Sequence, residues 1–199
     1  MPKSTLYRLA AIAGVLSAAL VLVNASRRSG VLPATILTRG IAPLAECFGL
    51  FALTGLYLIQ RRETGRLGMI AYAVNTIGLA GTCAIDLAIN YVFPYLDAEV
   101  VDELLRQTTG TMFLVVSVVF LVGVLLFGVA TWRAKRLPAM AMALYVIGLV
   151  PVALRTVLPG PVANAGLIIT AAGTAWLAVA LWSRASEGDL AEAVLSPGR

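Results

Sequence analysis

The sequence predicts an all-α membrane protein: one six-transmembrane-helix bundle, N-terminus in and C-terminus in, with a short amphipathic helix on the outer surface between spans three and four. Three observations carry that prediction. Of the 199 residues, 60% are hydrophobic and 13% charged, and mean hydropathy is +0.91, whereas the apolar share of a soluble domain sits near half. The apolar residues fall into six runs of spanning length. Lys and Arg then gather on one side of those runs, as cytoplasmic loops do.

The first run, residues 6–23, follows Lys3 and Arg8 and ends at Val23-Asn24-Ala25, a sequence with the shape of a signal-peptide cleavage site. It is long enough to remain in the bilayer and is read as a retained span. The second and third runs, residues 41–60 and 67–92, are separated by the basic turn Arg61-Arg62-Glu63-Thr64-Gly65-Arg66. Between the third and fourth lies the longest connection, residues 93–110. There Asp97 is placed to cap a helix whose Val100, Val101, Leu104 and Leu105 form an apolar stripe opposite acidic residues. The fourth run, residues 111–132, has Ser117 as its notable mid-span polar group and is expected to face lipid over much of its surface. The fifth, residues 137–158, carries Pro151, which removes a backbone donor and can kink the helix beside Arg155. The sixth, residues 162–182, follows Pro159-Gly160-Pro161. Residues 1–184 make the membrane domain, and residues 185–199 a polar C-terminal tail expected to fray.

With the N-terminus inside, ten Lys and Arg face the cytoplasm: Lys3, Arg8, Arg61, Arg62, Arg66, Arg133, Lys135, Arg136, Arg184 and Arg199. Five face out: Arg27, Arg28, Arg39, Arg106 and Arg155. Arg27 and Arg28 are the pair that fits this assignment least well. The orientation suits a multi-pass protein of the plasma membrane. The net charge of +5 follows from the same loops; no basic run with interleaved aromatics points to nucleic acid. No internal repeat supports an inverted-repeat transporter.

The chain has no histidine, which removes His-based haem, zinc, Ser-His-Asp and Cys-His chemistry. No cofactor and no metal is expected. Cys47 and Cys83 lie inside apolar runs and read as buried thiols. The remaining chemistry is carboxylate chemistry. At 100° per residue, Asn75, Thr82, Asp86 and Asn90 fall within about 80° of one another on the third span. A row of Ala80, Ala84 and Ala88 about half a turn away is suited to close approach by another helix. The second span carries Glu46, Tyr57 and Gln60 on one face. Because spans two and three run in opposite directions, Glu46 and Asp86 share a depth in the outer half, with Cys47, Cys83, Arg155 and Asn164 near the same level. Tyr57 and Tyr145 could line a pocket or anchor helix ends.

An ionisable group within a span costs about 2.5–3.5 kcal/mol at the helix centre on insertion scales, so it is usually functional or paired. Glu46 and Asp86 are therefore the candidate acid/base residues, with Asn75, Thr82, Asn90, Arg155, Asn164 and Tyr57 as candidate binding residues. The competing reading is that the carboxylates form a packing network with Arg155.

The stretches LFALTGLYLIQRRETGRLGMIAY (residues 50–72) and GVLLFGVATWRAKRLPAMAMALYVIGLV (residues 123–150) resemble a class of small bacterial six-helix integral membrane proteins. In that class a basic turn after a GLY-type helix end and an Arg-rich turn before Leu-Pro recur. The resemblance covers about a quarter of the chain by count and implies architecture only. The run TCAIDLAIN departs from the largely apolar third helix it implies and marks Asp86 as specific to this chain.

Four functions follow as expectations, the last of them ligand sensing, for which the short cytoplasmic turns offer little output surface. The first is intramembrane acid/base chemistry on, or binding of, a lipid-like or isoprenoid substrate, by analogy with small membrane terpene cyclases that use paired acids. The second is a non-catalytic accessory or regulatory subunit in contact with another membrane protein. The third is a small transporter acting as a homo-oligomer.

Overall fold

The computed structural model describes residues 3–155 and 158–195, and the side chains of 4–155 and 158–186. Among the described residues every regular element is helical. Four helical stretches are long and apolar enough to cross a membrane: Ser4–Arg28, Ile36–Tyr95, Thr108–Ala134 and Gly160–Ser186. A shorter apolar helix covers Ala139–Ala153.

Helix α1 (Lys3–Arg28) ends where Gly30 adopts φ +76°. The Gly30 amide bonds Arg27 O and the Val31 amide bonds Ser26 O. This is the left-handed glycine stop that satisfies the last carbonyls of a helix. It leaves Arg27 and Arg28 in the final turn of α1, where cations complement the negative end of the helix dipole. A short helix α2 (Ile36–Gly40) follows, capped reciprocally by Thr35 and Thr38.

Helix α3 (Leu44–Leu87) is continuous except at Gly65, whose φ of +54° and ψ of −138° lie outside the helical region. At that residue the chain doubles back. Tyr57 stacks on Tyr72 with ring centroids 4.5 Å apart, Thr54 and Tyr72 hydroxyls lie 3.1 Å apart, and the Cys47 and Cys83 sulfurs lie 3.8 Å apart. These pairs run in opposite sequence directions, which defines an antiparallel hairpin with a first arm (residues 44–64) and a second arm (residues 66–87). Its register is testable. Copper-phenanthroline oxidation of the purified protein is expected to join Cys47 to Cys83 within one chain, protecting both thiols from maleimide, because bond formation needs the sulfurs to close to about 2.05 Å. Two reactive thiols surviving oxidation would contradict the register.

The second arm passes into a π-helical turn (Ala88–Val92) and a 3-10 turn (Phe93–Tyr95). Helix α4 (Ala98–Arg106) packs on α5 (Thr108–Ala134). Asp97 occupies the N-cap position of α4 with extended backbone, but its side chain makes no capping bond; the helix is held instead by its apolar face. Val100 and Leu105 remain partly exposed. Helix α5 stops at Lys135 in the left-handed conformation, φ +52°. Helix α6 (Ala139–Ala153) starts after Pro138 and ends two residues beyond Pro151. It is shorter than the run of residues 137–158, because the Arg155 amide turns to Val152 O, three residues back, instead of continuing the four-residue ladder. Helix α7 (Gly160–Leu195) runs well past Trp182, so residues 185–195 of the expected tail continue a helix; residues 196–199 lie outside the described residues.

The helices close into a ring. α7 packs on α1, α1 on the first arm of α3, the second arm on α5, α5 on α6, and α6 on α7. Glycines set the tightest approaches. A Cβ on Gly78 would strike the backbone of Phe120, and one on Gly123 would strike the backbone of Asn75. The core between them holds Phe120, Val124, Phe127, Leu177 and Leu181. The alanine row is not that contact: Ala80 and Ala84 are exposed and Ala88 is half-buried. The helix packed on the second arm sits instead on the Gly78 and Gly81 side, where no side chain holds the backbones apart.

At the end of the bundle that carries the Gly65 turn, Glu63 accepts from Arg136 Nε at 2.8 Å, tying the hairpin to the α5–α6 turn. Bonds from backbone amide and then from the Arg136 guanidinium hold the Glu63 carboxyl below the ordinary glutamate range. A depressed folded-state value means that the contribution is present above the unfolded value and is lost as pH falls through the folded one. Glu63→Gln is therefore expected to lower the melting temperature slightly at pH 7 and by progressively less as the pH falls below the ordinary glutamate range, the effect being small because the pair is exposed.

Candidate functional site

The four polar positions of the second arm are all buried: Asn75 is 0%, Asp86 1%, Asn90 4% and Thr82 8% exposed. Their 3.6-residue spacing puts them on the face turned into the ring, as their burial confirms. Asp86 lies in the last turn before the π-helical segment, and Asn90, inside that segment, donates from Nδ2 to the Asp86 carbonyl oxygen at 2.8 Å. π-turns often accompany functional positions because they re-aim a side chain.

Arg155, just beyond the end of α6, donates from Nη1 to Asp86 Oδ1 at 2.8 Å, with side chains 15% and 2% exposed. Asp86, Arg155, Glu46 and Thr82 line one small cavity together with Asn24 and Arg28 of α1. Its volume is about 30 Å³, room for roughly two waters. Glu46 enters from the first turn of α3, and its Oε2 is buried with no hydrogen-bond partner. The Thr82 hydroxyl donates back to Gly78 O at 2.9 Å, leaving its lone pairs for the cavity. Two carboxylates and two guanidiniums thus face one polar space, in which Arg155 is joined to Asp86.

The polar cavity adjoins an apolar chamber of about 70 Å³. Val21, Ala45, Glu46, Thr82, Val152 and Leu167 belong to the walls of both. Deeper, the chamber is closed by Leu53, Leu56, Phe120, Tyr145, Leu149 and Leu177. Outward, the cavity shares Arg28, Arg155 and Ala163 with an open bowl of about 920 Å³. The result is a polar neck, with Glu46 at its inner edge, between a wide outer bowl and an apolar interior.

Three candidate binding residues lie elsewhere. Asn75 faces Tyr145 and the α5 backbone at Gly123, away from the polar cavity; neither atom of its amide makes a hydrogen bond. Tyr57 is engaged in the hairpin stack with Tyr72. Asn164 donates to Ser29 Oγ at 2.5 Å across the α1–α7 contact. Gln60, on the same face of the first arm as Glu46 and Tyr57, donates to Thr131 at 2.8 Å and serves packing. A helical wheel gives the face of a residue but not the neighbour that covers it, so neither the face of Tyr57 nor the depth of Asn164 told what its side chain meets.

Sequence reasoning missed Asn24 and Arg28. The signal was their i, i+4 spacing at the end of the first span, with Arg28 out of keeping with the charge bias of the loops. Arg28 fits because it faces the carboxylates: its charge is drawn to Asp86 and Glu46 and repelled by Arg155 and Arg27. Among the described residues no three Cys, Asp or Glu side chains gather to hold a metal ion. A carboxylate pair, one member ion-paired and the other not, can bind a cation or hydroxyl and can exchange a proton with a ligand in the neck. No family model, no curated protein and no solved structure matches this chain.

Proposed function

We propose that the protein is a six-span plasma-membrane protein, N-in and C-in, that takes a lipid-like or isoprenoid molecule at its outward end and performs acid/base chemistry on it. The arms of α3 count as two spans and α6 as the fifth. The observation that supports the reading is the position of Glu46, a buried carboxyl whose Oε2 has no hydrogen-bond partner, at the seam between a polar neck and an apolar chamber. Asp86, paired with Arg155, is fixed as the anion that receives a proton or steadies a developing cation. Glu46, with no such pairing, is the carboxyl equipped to deliver one. The chamber is about half the volume of the engineered cavity of roughly 150 Å³ that admits benzene, so an isoprenyl or acyl chain enters only as the lining side chains move apart.

The test is native mass spectrometry of the purified protein with Glu46→Gln beside wild type. The expected result is a discrete small molecule retained by wild type and lost from the variant, whose fold is checked by melting temperature. Equal retention, or an empty spectrum for both, would count against the reading. The exposed Ala80 and Ala84 favour a second one, an accessory subunit that packs this row against a partner helix or another copy of itself. It predicts a co-purifying chain or a homo-oligomer that Ala84→Leu releases and Glu46→Gln does not.

A further inference from the structure

The outer bowl carries more positive charge than the chain itself neutralises. Its walls include Arg27, Arg28, Arg39 and Arg155, against one carboxylate, Asp102 on α4. Arg155 is committed to Asp86. Arg27 donates to the Asn24 side-chain oxygen, a neutral acceptor, at 2.9 Å, and its Nε is buried without a partner. Among the described residues neither Arg28 nor Arg39 makes a side-chain hydrogen bond or an ion pair. Asp86 attracts Arg27 and Arg28 but is already bonded to Arg155, while Arg39 repels Arg27, and Arg155 and Arg27 repel Arg28. Clustered guanidiniums so placed are stabilised by an anion between them.

The lining from the other elements is of a different kind. Phe93, Leu96, Val101, Leu105 and Phe113, from the turn after α3, from α4 and from α5, give it an apolar surface. Basic and apolar lining in one bowl, supplied by different elements, matches a molecule with an anionic head and a hydrocarbon tail better than it matches a free soluble anion. Guanidinium forks suit the geometry of phosphate oxygens.

We infer that this bowl binds the head of an anionic, phosphate-bearing membrane amphiphile through Arg27, Arg28 and Arg39, with the first part of its tail along α4 and α5. The inference rests on the reading that the outward end accepts a lipid-like molecule, and it supplies the chemical class of the head. It also places that head next to the neck, where Arg28 is shared between bowl and carboxylates.

The experiment is native mass spectrometry of delipidated full-length protein offered dioleoylphosphatidylglycerol and dioleoylphosphatidylcholine in equal amounts, with and without excess inorganic phosphate. Wild type is expected to retain the anionic lipid preferentially. Arg28→Gln and Arg39→Gln are each expected to cut that preference by about tenfold, the weight of one charge-assisted hydrogen bond. Arg61→Gln, which removes one positive charge at the other end of the bundle, leaves it unchanged. Arg39→Gln, on the short surface helix α2, keeps the test open should Arg28→Gln misfold. Equal preference in wild type, Arg39→Gln and Arg61→Gln would overturn the inference, as would displacement of the lipid by inorganic phosphate, which would identify a soluble anion as the occupant. Glu46→Gln in the same assay separates the two claims. If it keeps the arginine-dependent lipid, and no molecule is lost with the carboxyl, then the head site stands and the acid/base reading falls. A carboxyl-dependent molecule with no arginine dependence gives the converse.

Discussion

Asp86→Asn is expected to destabilise the bundle by about 3–5 kcal/mol, the usual result of removing one partner from a buried ion pair. The carboxylate is 2% exposed at its side chain and Arg155 15%, so the cation left behind has little water to turn to. Arg28 and Arg27 already crowd the same region with positive charge, and loss of the Asp86 anion sharpens that repulsion. Arg155→Met is expected to cost a similar amount, since it strands the carboxylate. The double variant Asp86→Leu with Arg155→Met should lie well above either single, because a well-packed apolar pair often replaces a buried ion pair without loss. Detergent unfolding of wild type, Asp86→Leu, Arg155→Met and the double variant gives the coupling directly. Additive single effects would show that the pair is not the unit that holds the second arm of α3 to the end of α6.

The second large effect concerns the glycine contact between the second arm of α3 and α5. Gly78→Ala and Gly123→Ala are each expected to cost about 1–3 kcal/mol, since each new methyl meets backbone rather than the mobile end of a side chain. Larger residues at either position should prevent the arm from docking. Ala84→Leu, on the exposed face of the same arm, is expected to leave the stability of the isolated chain nearly unchanged. The comparison separates helix packing within the chain from packing against a partner. A tolerant Gly78 would mean that the arm and α5 are farther apart than the structure places them.

The sequence carried most of this architecture in a readable form, and the reasons are specific. Runs of apolar residues announce themselves by length, and the turns by Gly65, by the basic residues around 135 and by Pro138, so six helical segments were visible in order. The buried stripe Asn75, Thr82, Asp86 and Asn90 was visible because a helix repeats its faces. The shared level of Glu46, Asp86 and Arg155 followed from depth, given opposite chain directions, but not which carboxylate the arginine takes. Lateral position was not legible. Tyr57 and Asn164 share levels or faces with other polar groups, yet a tyrosine stack and a serine across the α1–α7 contact claim them. The alanine row and the Gly78 contact compete for the same role, and nothing in one sequence says that glycine, with no side chain at all, wins the closer neighbour. The helical course of residues 185–195 was hidden by polarity, which describes solvation rather than backbone geometry.

The brevity of α6 has a consequence for the lipid around the protein. Its 15 residues rise about 22 Å, against a hydrocarbon layer near 30 Å. If this helix crosses the membrane as proposed, the leaflet beside its outward end must thin, or water must reach down to Leu154 and Arg155, for the deficit to be met. Either response lowers the polar surface towards the neck and shortens the distance a head group must sink to arrive there. Occupancy of the site should then depend on bilayer thickness, rising in short-chain membranes and falling in long-chain ones, so that the membrane itself sets how readily the protein is loaded.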